Sequence, residues 1–464
     1  MAGIGQVAPD DARRAQASRS VDIGLVAAGL VALVAALAWY AHLVVMKSGM
    51  LTLPVDLNVY RDAGLVARQV RPFYNPHLAS PLFDWPGPPG FLGIKFIYPP
   101  FAALPFALAS HLSLQTLSPL FAAANVVAIP VTIWITFGAL DLPVGQRRVG
   151  LTLLATAAAL VTEPVLRTIE LGQVEILLMV LIVWDLCQPD RRWLKGAGVG
   201  IAAGIKLVPL IFIPYLLLTR RFRQAAVATG TFAVTVIIGF IVLPKDSSQW
   251  WLHGLFLKGS YAGNAAYAGN QSLLAVFARF NSSAWHHEWL ATAAVVGILG
   301  LAAATVLDRA GYRMLGLAAA ALTGLLVSPI SWDSHWVWIV LALPILMYYG
   351  LQASGLIRWL WLGLGVLVIA IVGAWPTSLW GETQQGAGWL WGVIWAPPSG
   401  NNSELGWHGF QLIVGNAYVL TGIALFLLVL LVALTQYRKL RQAPAAPGPR
   451  TTEQPPVHDP ALER

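Results

Sequence analysis

The fold is decided by an apolar stretch near the start of the chain, IGLVAAGLVALVAALAWYAHLVVM, residues 23–46. It contains no Asp, Glu, Lys or Arg, and it exceeds the roughly 20 apolar residues that a helix needs to cross a bilayer. Arg13, Arg14 and Arg19 precede it. Because the stretch is longer than the apolar region of a cleavable signal peptide, we expect a transmembrane helix that is retained as a signal anchor.

Apolar stretches of this kind recur along most of the chain. Of its 464 residues, 57% are hydrophobic and only 11% are charged, a composition that excludes a soluble globular domain. We therefore predict an all-α, polytopic integral membrane protein with about 11–12 membrane segments between residues 23 and 441. Beyond Arg223 the spans are expected near residues 225–243, 289–307, 314–331, 336–352, 356–374 and 411–434.

The basic residues lie in short clusters between the apolar stretches. A net charge of +8 would suggest nucleic acid for a soluble protein, but cytoplasmic loops of membrane proteins carry such clusters. The pattern predicts cytoplasmic termini at residues 1–22 and 442–464, the latter a disordered tail with six prolines, and no nucleic-acid partner. The clusters are Arg147–Arg148, Arg191–Lys195, Arg220–Arg223, Arg309–Arg313 and Arg438–Arg441.

Two segments do not fit a simple crossing pattern. The stretch between Lys195 and Arg220 is too short for two spans. It is either one helix, which breaks the orientation rule, or a helix broken near Lys206 and Pro209, and we favour the break, with Lys206 pointing into a cavity. The segment Ile97–Ser110 is also short, and it either dips into the membrane and returns or crosses at a slant.

The outer face is expected to carry loops near residues 47–96, 244–271 and 375–410, and the turn at 331–336. In the first loop, DLNVYRDAGLVARQV (residues 56–70) has the apolar stripe of an interfacial amphipathic helix. Asp56 is then either the N-cap of this helix or a catalytic carboxylate, because Asp is favoured at both kinds of position. The spacing alone leaves the two interpretations open.

Other polar residues of the outer face also have two interpretations. Glu163, Glu170 and Glu175 with Arg167 are lipid-surface charges or, as we favour, line a cavity. His335 beside Asp333 belongs to an aromatic belt or has a function, which is slightly favoured. Asn270 and Gln271 are a sugar-binding amide pair or a polar loop end. The sequence shows no phosphate-binding loop and no metal-ligand cluster, and the single Cys187 lies in an apolar stretch.

Six short motifs occur in an order that resembles glycosyltransferase family 87, a family of actinobacterial membrane mannosyltransferases of the GT-C superfamily. One departure is Ser334, since relatives often have two adjacent histidines where this chain has Ser334-His335. The motifs are DLxVYxxAG from Asp56, YPP at 98–100, GQ at 172–173, KLxP at 206–209, NQS at 270–272 and SPxSWxxHW at 328–336.

The resemblance implies a GT-C-type bundle with broken or re-entrant helices and an inverting reaction at the periplasmic side of the cytoplasmic membrane. Mannose is expected to pass from polyprenol-phosphate-mannose to a mannose hydroxyl of a membrane glycolipid of the phosphatidylinositol mannoside type, in α-(1→2) linkage and without a cofactor. Alternatives are a branching transferase of lipomannan or lipoarabinomannan, an arabinose donor, and a flippase for a lipid-linked saccharide. Trp-rich outer loops suit a lipid-anchored acceptor.

The resemblance also implies roles for particular residues. Asp56 corresponds to the family's essential aspartate and is expected to be the general base. Lys206 and Arg61 are expected to bind the donor phosphate, and His335, Tyr60 and Tyr98 its phosphate or sugar. A further set is expected to bind the acceptor or a sugar: Glu163, Arg167, Glu170, Gln173, Glu175, Asn270, Gln271, Trp332 and Asp333.

Overall fold

The computed structural model describes residues 9–46, 54–69, 72, 74, 96–257, 264–280, 285–376 and 390–442. The expectations for most of the loop at 47–96, for the tail after residue 442 and for residues 377–389 of the last outer loop lie outside these residues. Within them the protein is helical apart from a two-residue antiparallel pair, β1 (Trp375–Pro376) with β2 (Leu390–Trp391). This agrees with the predicted all-α class.

The described residues contain eighteen α-helices. In chain order the first nine are α1 Pro9–Met46, α2 Val55–Arg68, α3 Ala103–Ala109, α4 Leu114–Ala139, α5 Gln146–Leu160, α6 Glu163–Leu171, α7 Glu175–Cys187, α8 Ala197–Ile205 and α9 Phe212–Leu218. The others are α10 Phe222–Val242, α11 Pro244–Ser247, α12 Leu273–Phe280, α13 Trp285–Arg309, α14 Arg313–Val327, α15 Ile339–Gln352, α16 Gly355–Val372, α17 Phe410–Gly415 and α18 Ala417–Gln442.

Long apolar helices confirm that this is a multi-pass membrane protein. Among the described residues, seven helical segments are long and apolar enough to cross a bilayer. The later spans lie close to the predicted positions, although the last helix continues to Gln442, beyond the expected end near residue 434. The seven segments are Ser20–His42, Leu114–Ala139, Phe222–Val242, His287–Arg309, Asp333–Gln352, Gly355–Val372 and Ala417–Gln442.

The helix predicted to break near Lys206 is broken there. Helix α8 ends at Ile205, Lys206 is extended with φ −146° and ψ 134°, and a 3-10 turn at Val208–Ile211 leads into α9. A proline at residue 209 lacks the backbone donor that a continuous helix needs. The predicted break is therefore confirmed.

The two arms of this broken helix start and finish at the same end of the bundle. Arg223, just after α9, donates to the backbone oxygen of Arg192, just before α8, at 2.7 Å. Arg221 makes two hydrogen bonds of 2.8 Å to Asp308 near the end of α13. The segment is thus a re-entrant hairpin with Lys206 at its apex. Seven described helices are long and apolar enough to cross a bilayer, so the expected number of about 11–12 membrane segments stays a prediction.

The segment Ile97–Ser110 contains only a short helical stretch. It forms a 3-10 turn, Pro100–Ala102, and the short helix α3, and ten helical residues extend only about 15 Å. Helix α3 packs on α2, where a Cβ added to Gly64 would lie 2.4 Å from the backbone of Phe106. The two backbones therefore touch, and the short helical length favours the alternative in which this segment dips into the membrane and returns.

Helix α2 is the amphipathic helix that the sequence predicts, and its inner face is buried. Its N-cap is Pro54, so Asp56 lies at the second helical position. The Asp56 carboxylate receives a hydrogen bond from Gln173. The N-cap interpretation of Asp56 is therefore wrong.

Glu163, Arg167 and Glu170 lie in the short helix α6, which is followed by Gly172 in the left-handed region, φ 69°. A Cβ on Gly172 would lie 2.5 Å from the Leu57 Cβ atom in α2. On its other side, α6 contacts the 3-10 segment Asp333–Trp338 through a Thr168 hydrogen bond of 3.2 Å to the Ser334 carbonyl oxygen. Helix α6 thus joins α2 to the SPxSWxxHW motif.

Candidate active site

The first part of the site is built around the Asp56 carboxylate at the start of α2. Gln173 donates from Nε2 to Asp56 Oδ2 at 2.5 Å. Tyr60, one helical turn after Asp56 and on the same face, donates to Gln173 Oε1 at 2.6 Å. The Tyr98 hydroxyl lies 2.8 Å from the Tyr60 hydroxyl and 3.3 Å from Gln173 Oε1. Residues from three separate motifs therefore meet at Asp56.

The second part is a charged cluster at the apex of the re-entrant hairpin. The Lys206 ammonium bonds to Glu175 Oε1 and lies 2.8 Å from His335 Nε2. His335 Nε2 in turn lies 3.2 Å from Glu175 Oε1. The ammonium is also 5.3 Å from the centroid of the Tyr98 ring. Tyr98 thus connects the cluster to the group around Asp56.

The environment of Asp56 is that of a base near neutrality. Burial raises the pKa of the Asp56 carboxyl to about 7, and the charge of Glu175 acts in the same direction. The hydrogen bond from Gln173 and the charges of Lys206 and Arg167 oppose this increase. A general base is most effective when its pKa lies near the working pH. Asp56 is therefore suited to accept a proton from a neutral hydroxyl.

Lys206 and His335 line two cavities with different chemistry. The first, about 740 Å³ of empty volume, is also lined by Tyr98, Trp250 and Trp332. Aromatic rings with polar edges suit the faces and hydroxyls of a sugar. The second, about 460 Å³, extends between α7, α9 and α14, and its other lining residues, apart from Glu175, are apolar. The Lys206 ammonium and the His335 ring therefore lie between a space suited to sugar and one suited to a lipid chain.

A separate buried ionic cluster supports the site from the side of α6. The Arg167 guanidinium lies 3.2 Å from Asp333, 3.1 Å from Glu170 and 3.9 Å from Glu163. Burial and the nearby charge of Asp333 raise the pKa of Glu163 well above its usual value. Its oxygens accept hydrogen bonds from Trp395 Nε1 at 3.0 Å and the Tyr418 hydroxyl at 2.9 Å. These carboxylates are occupied by protein groups.

Not every predicted site residue joins the cluster. Arg61 points away from it, donating to the Leu112 carbonyl oxygen at 2.9 Å and pairing with Asp62 at 3.5 Å. The amides of Asn270 and Gln271 are fully buried and bond to backbone groups, including the Pro329 and Gly415 carbonyl oxygens. The structure therefore does not bring Arg61 to the phosphate position, and it corrects the sugar-binding interpretation of the amide pair.

Several contributions were missed in the sequence. Tyr418 donates a hydrogen bond to Glu163, although the two residues are 255 positions apart in the sequence. No local sequence pattern predicts this contact. Trp250 was seen only as one tryptophan of an outer loop, but it lines the sugar-sized cavity. Among the described residues, no group of three or more His, Cys, Asp or Glu side chains is placed to hold a metal ion.

The fold and the site together define a multi-pass membrane enzyme. The partly buried Asp56 carboxylate, the Lys206 ammonium beside His335 and a largely apolar cavity lie near one end of its helix bundle. A sequence model of glycosyltransferase family 87 matches residues 96–329, a range that contains Tyr98, Gln173, Glu175 and Lys206 and lies between Asp56 and His335. The chain belongs to glycosyltransferase family 87.

Similar curated proteins share most of their length with this chain. It is 31% identical over 310 residues to the polyprenol-phosphate-mannose-dependent α-(1-2)-phosphatidylinositol mannoside mannosyltransferase of Mycobacterium tuberculosis, covering 64% of this chain and 70% of the relative. A protein of the same description from Mycolicibacterium smegmatis is 32% identical, with 63% and 69% covered.

Other similar proteins are named for a different acceptor, phosphatidylinositol pentamannoside. The polyprenol-phosphate-mannose-dependent α-(1-2)-phosphatidylinositol pentamannoside mannosyltransferase of Mycobacterium tuberculosis is 31% identical over 359 residues, covering 74% of this chain and 77% of the relative. No solved structure matches the chain.

Proposed function

We propose that this glycosyltransferase moves mannose from polyprenol-phosphate-mannose to a mannose hydroxyl of a phosphatidylinositol mannoside, forming an α-(1→2) linkage. The observation that carries the proposal is the position of Asp56 beside the Lys206–Glu175–His335 cluster. The names of the relatives supply the donor and the acceptor class. The reaction belongs to the periplasmic side of the cytoplasmic membrane, because the basic clusters lie at the opposite end of the bundle from the site.

The transfer is a single displacement with inversion. The acceptor hydroxyl oxygen attacks the anomeric carbon of the β-linked donor while the bond from that carbon to the phosphate oxygen breaks. The acceptor proton passes to the Asp56 carboxylate, and the bonding electrons leave with polyprenyl phosphate. General base catalysis of this kind is typically worth about 10²–10⁴-fold in rate.

The leaving phosphate gains negative charge as the bond breaks. The Lys206 ammonium, with His335 beside it, stabilises that charge. Before the donor arrives, Glu175 neutralises the Lys206 ammonium, which keeps a buried cation paired. Preorganised donors in a site with little water stabilise developing charge most strongly. We assign the phosphate to Lys206, the mannose to the cavity with Trp250 and Trp332, and the first part of the lipid chain to the apolar cavity.

No cofactor is needed in this scheme. The lipid phosphate is already an activated leaving group, and the Lys206 ammonium takes the place that a divalent ion occupies in enzymes that use sugar nucleotides. The donor is a substrate that reaches the site through the membrane.

The direct test is transfer of radiolabelled mannose by the full-length protein in lipid nanodiscs. Polyprenol-phosphate-mannose and a phosphatidylinositol mannoside are supplied together, and the product is digested with a mannosidase specific for α-(1→2) linkages. We expect a product that loses its label on digestion. A label resistant to that enzyme, or transfer only from an arabinose donor or only to a lipomannan, would contradict the proposal.

A further inference from the structure

The Asp56 carboxylate is held by one well-defined partner. Among the described residues, its hydrogen bond comes from Gln173 Nε2, which reaches Oδ2 at 2.5 Å. Asp56 itself is partly exposed, whereas Gln173 is 3% exposed. The buried amide therefore fixes one carboxylate oxygen and leaves the other for a hydroxyl that enters the site.

The orientation of the Gln173 amide is set by two tyrosines. Tyr60 and Tyr98 direct their hydroxyls to Gln173 Oε1 at 2.6 Å and 3.3 Å. A glutamine amide has an acceptor on one side and a donor on the other. Because the tyrosines occupy the acceptor side, the NH₂ group must face Asp56. The opposite orientation would place an amide oxygen against a carboxylate oxygen.

The backbone of Gln173 is fixed as well. Its N–H donates to the Thr168 carbonyl oxygen at 2.8 Å, which closes the end of α6 after the left-handed Gly172. Gly172 packs directly on Leu57 in α2. The side chain of Gln173 therefore starts from a point that moves with α2, the helix that carries both Asp56 and Tyr60.

We infer that Gln173 is a positioning residue for the general base, oriented by Tyr60 and Tyr98, and does not bind the acceptor sugar. This inference rests on the proposed function of Asp56. The amide remains neutral and transfers no proton: Oδ2 keeps its hydrogen bond while Oδ1 receives the proton of the acceptor hydroxyl. Tyr60 and Tyr98 act on the base through Gln173.

Gln173→Leu tests the inference, because leucine removes the hydrogen bonds and keeps most of the volume. We expect kcat to fall about 10–100-fold, as for loss of a hydrogen bond to a charged group, with KM for the acceptor changed less than about threefold. The acid limb of the pH profile should move up by about one pH unit, because a bond that favours the charged form is lost. Gln188→Leu, at the end of α7 away from Glu175, where the side chain donates to the Trp184 carbonyl oxygen, should leave activity unchanged.

Gln173→Glu is the second variant, since it keeps the shape and the acceptor for the tyrosines. It replaces the NH₂ group with an oxygen and brings a second carboxylate to Asp56. We expect kcat to fall at least as far as in Gln173→Leu, and the acid limb to move further toward high pH, because like charges in one site disfavour ionisation.

A double-mutant cycle separates this role from general damage. Tyr60→Phe should lower kcat about 3–10-fold on its own and have no further effect in the Gln173→Leu background, because both act through one contact. An increase of KM with kcat and the acid limb unchanged in Gln173→Leu would show sugar binding and overturn the inference. Full activity of Asp56→Asn would instead overturn the base assignment, so the two failures are distinguishable.

Discussion

Asp56 is the residue that we propose as the general base, and its surroundings explain why an ordinary aspartate can serve in that role. Its carboxylate lies between a neutral amide, Gln173, and the paired charges of Lys206 and Glu175. Burial opposes ionisation and the amide supports it. The balance leaves a base that changes its protonation close to neutral pH.

The pH dependence of the rate follows from this balance. With an Asp56 pKa of about 7, the base is protonated at lower pH and cannot accept the acceptor proton. We expect kcat/KM to fall about tenfold per pH unit below pH 7 and to level off above it. Transfer measured between about pH 5 and 9 checks this, with intrinsic fluorescence as the control for folding. A limb near pH 4, the ordinary value of an aspartate, would contradict it.

Lys206 gives the second prediction for a single residue. Lys206→Gln should lower transfer about 10–100-fold and raise KM for the donor, because the phosphate loses a charged hydrogen bond. The substitution also leaves Glu175 buried without its cation, so the double variant Lys206→Gln/Glu175→Gln serves as control. It should recover stability but not activity. If the KM for the donor and the transfer rate of Lys206→Gln equal those of the unsubstituted protein, Lys206 does not bind the phosphate.

At the scale of elements, the contact between α2 and α3 sets the position of the base. Gly64 lies against the backbone of Phe106, where an added Cβ would be 2.4 Å from its carbonyl carbon. The Tyr60 ring stacks on the Phe106 ring in the same interface, with centroids 4.8 Å apart. The close approach of the two backbones therefore keeps Tyr60, and with it Asp56, at its place in the site.

Gly64→Ala tests that contact. The new methyl group meets backbone atoms that cannot rotate away, so α2 must shift, at a cost of about 1–3 kcal/mol. We expect transfer to fall at least about tenfold with a lower melting temperature. Gly230→Ala in α10, where an added Cβ meets nothing within 4 Å, should keep both values. Full activity of Gly64→Ala would show that the base does not depend on this interface.

The elements differ in how far the sequence could predict them. The break at Lys206 was predictable because a proline and an isolated ammonium both conflict with a continuous membrane helix, and α2 was predictable from its apolar stripe. The N-cap at Pro54 was not predictable, because aspartate is among the residues favoured at N-cap positions and Asp56 lies two residues later. The pairing of Asp56 with Gln173 spans 117 positions, and no local pattern encodes a contact of that range.

At the scale of the molecule, the two ends of the bundle have different tasks. At the basic end, Arg221 and the Tyr215 hydroxyl both bond to Asp308 and tie α9 to α13. This contact closes the re-entrant hairpin and holds its apex, with Lys206, near the opposite end. The charged residues in the apolar part of the chain thus form two groups. One group, Arg221 with Asp308, joins two helices at the basic end, and the other, Lys206 with Glu175, belongs to the candidate site. Only the folded structure shows to which of the two groups each charged residue belongs.

Metal removal is a prediction for the whole enzyme. The described residues contain no group of three or more His, Cys, Asp or Glu side chains that could hold a metal ion, and we propose Lys206 as the source of positive charge at the phosphate. We expect transfer to change less than about twofold after dialysis against a chelator, because the scheme uses no Lewis acid. Activity that is lost and then restored by an added divalent ion would contradict this.

The measurement that tests the central claim most directly is mannose transfer by Asp56→Asn beside the unsubstituted protein, at equal amounts of folded enzyme in the same nanodiscs. The amide has the size of the carboxylate but cannot take the acceptor proton. We expect the rate to fall by at least about 10²-fold, with donor binding retained. Turnover of Asp56→Asn at the unsubstituted rate would show that another group accepts the proton and would contradict the account.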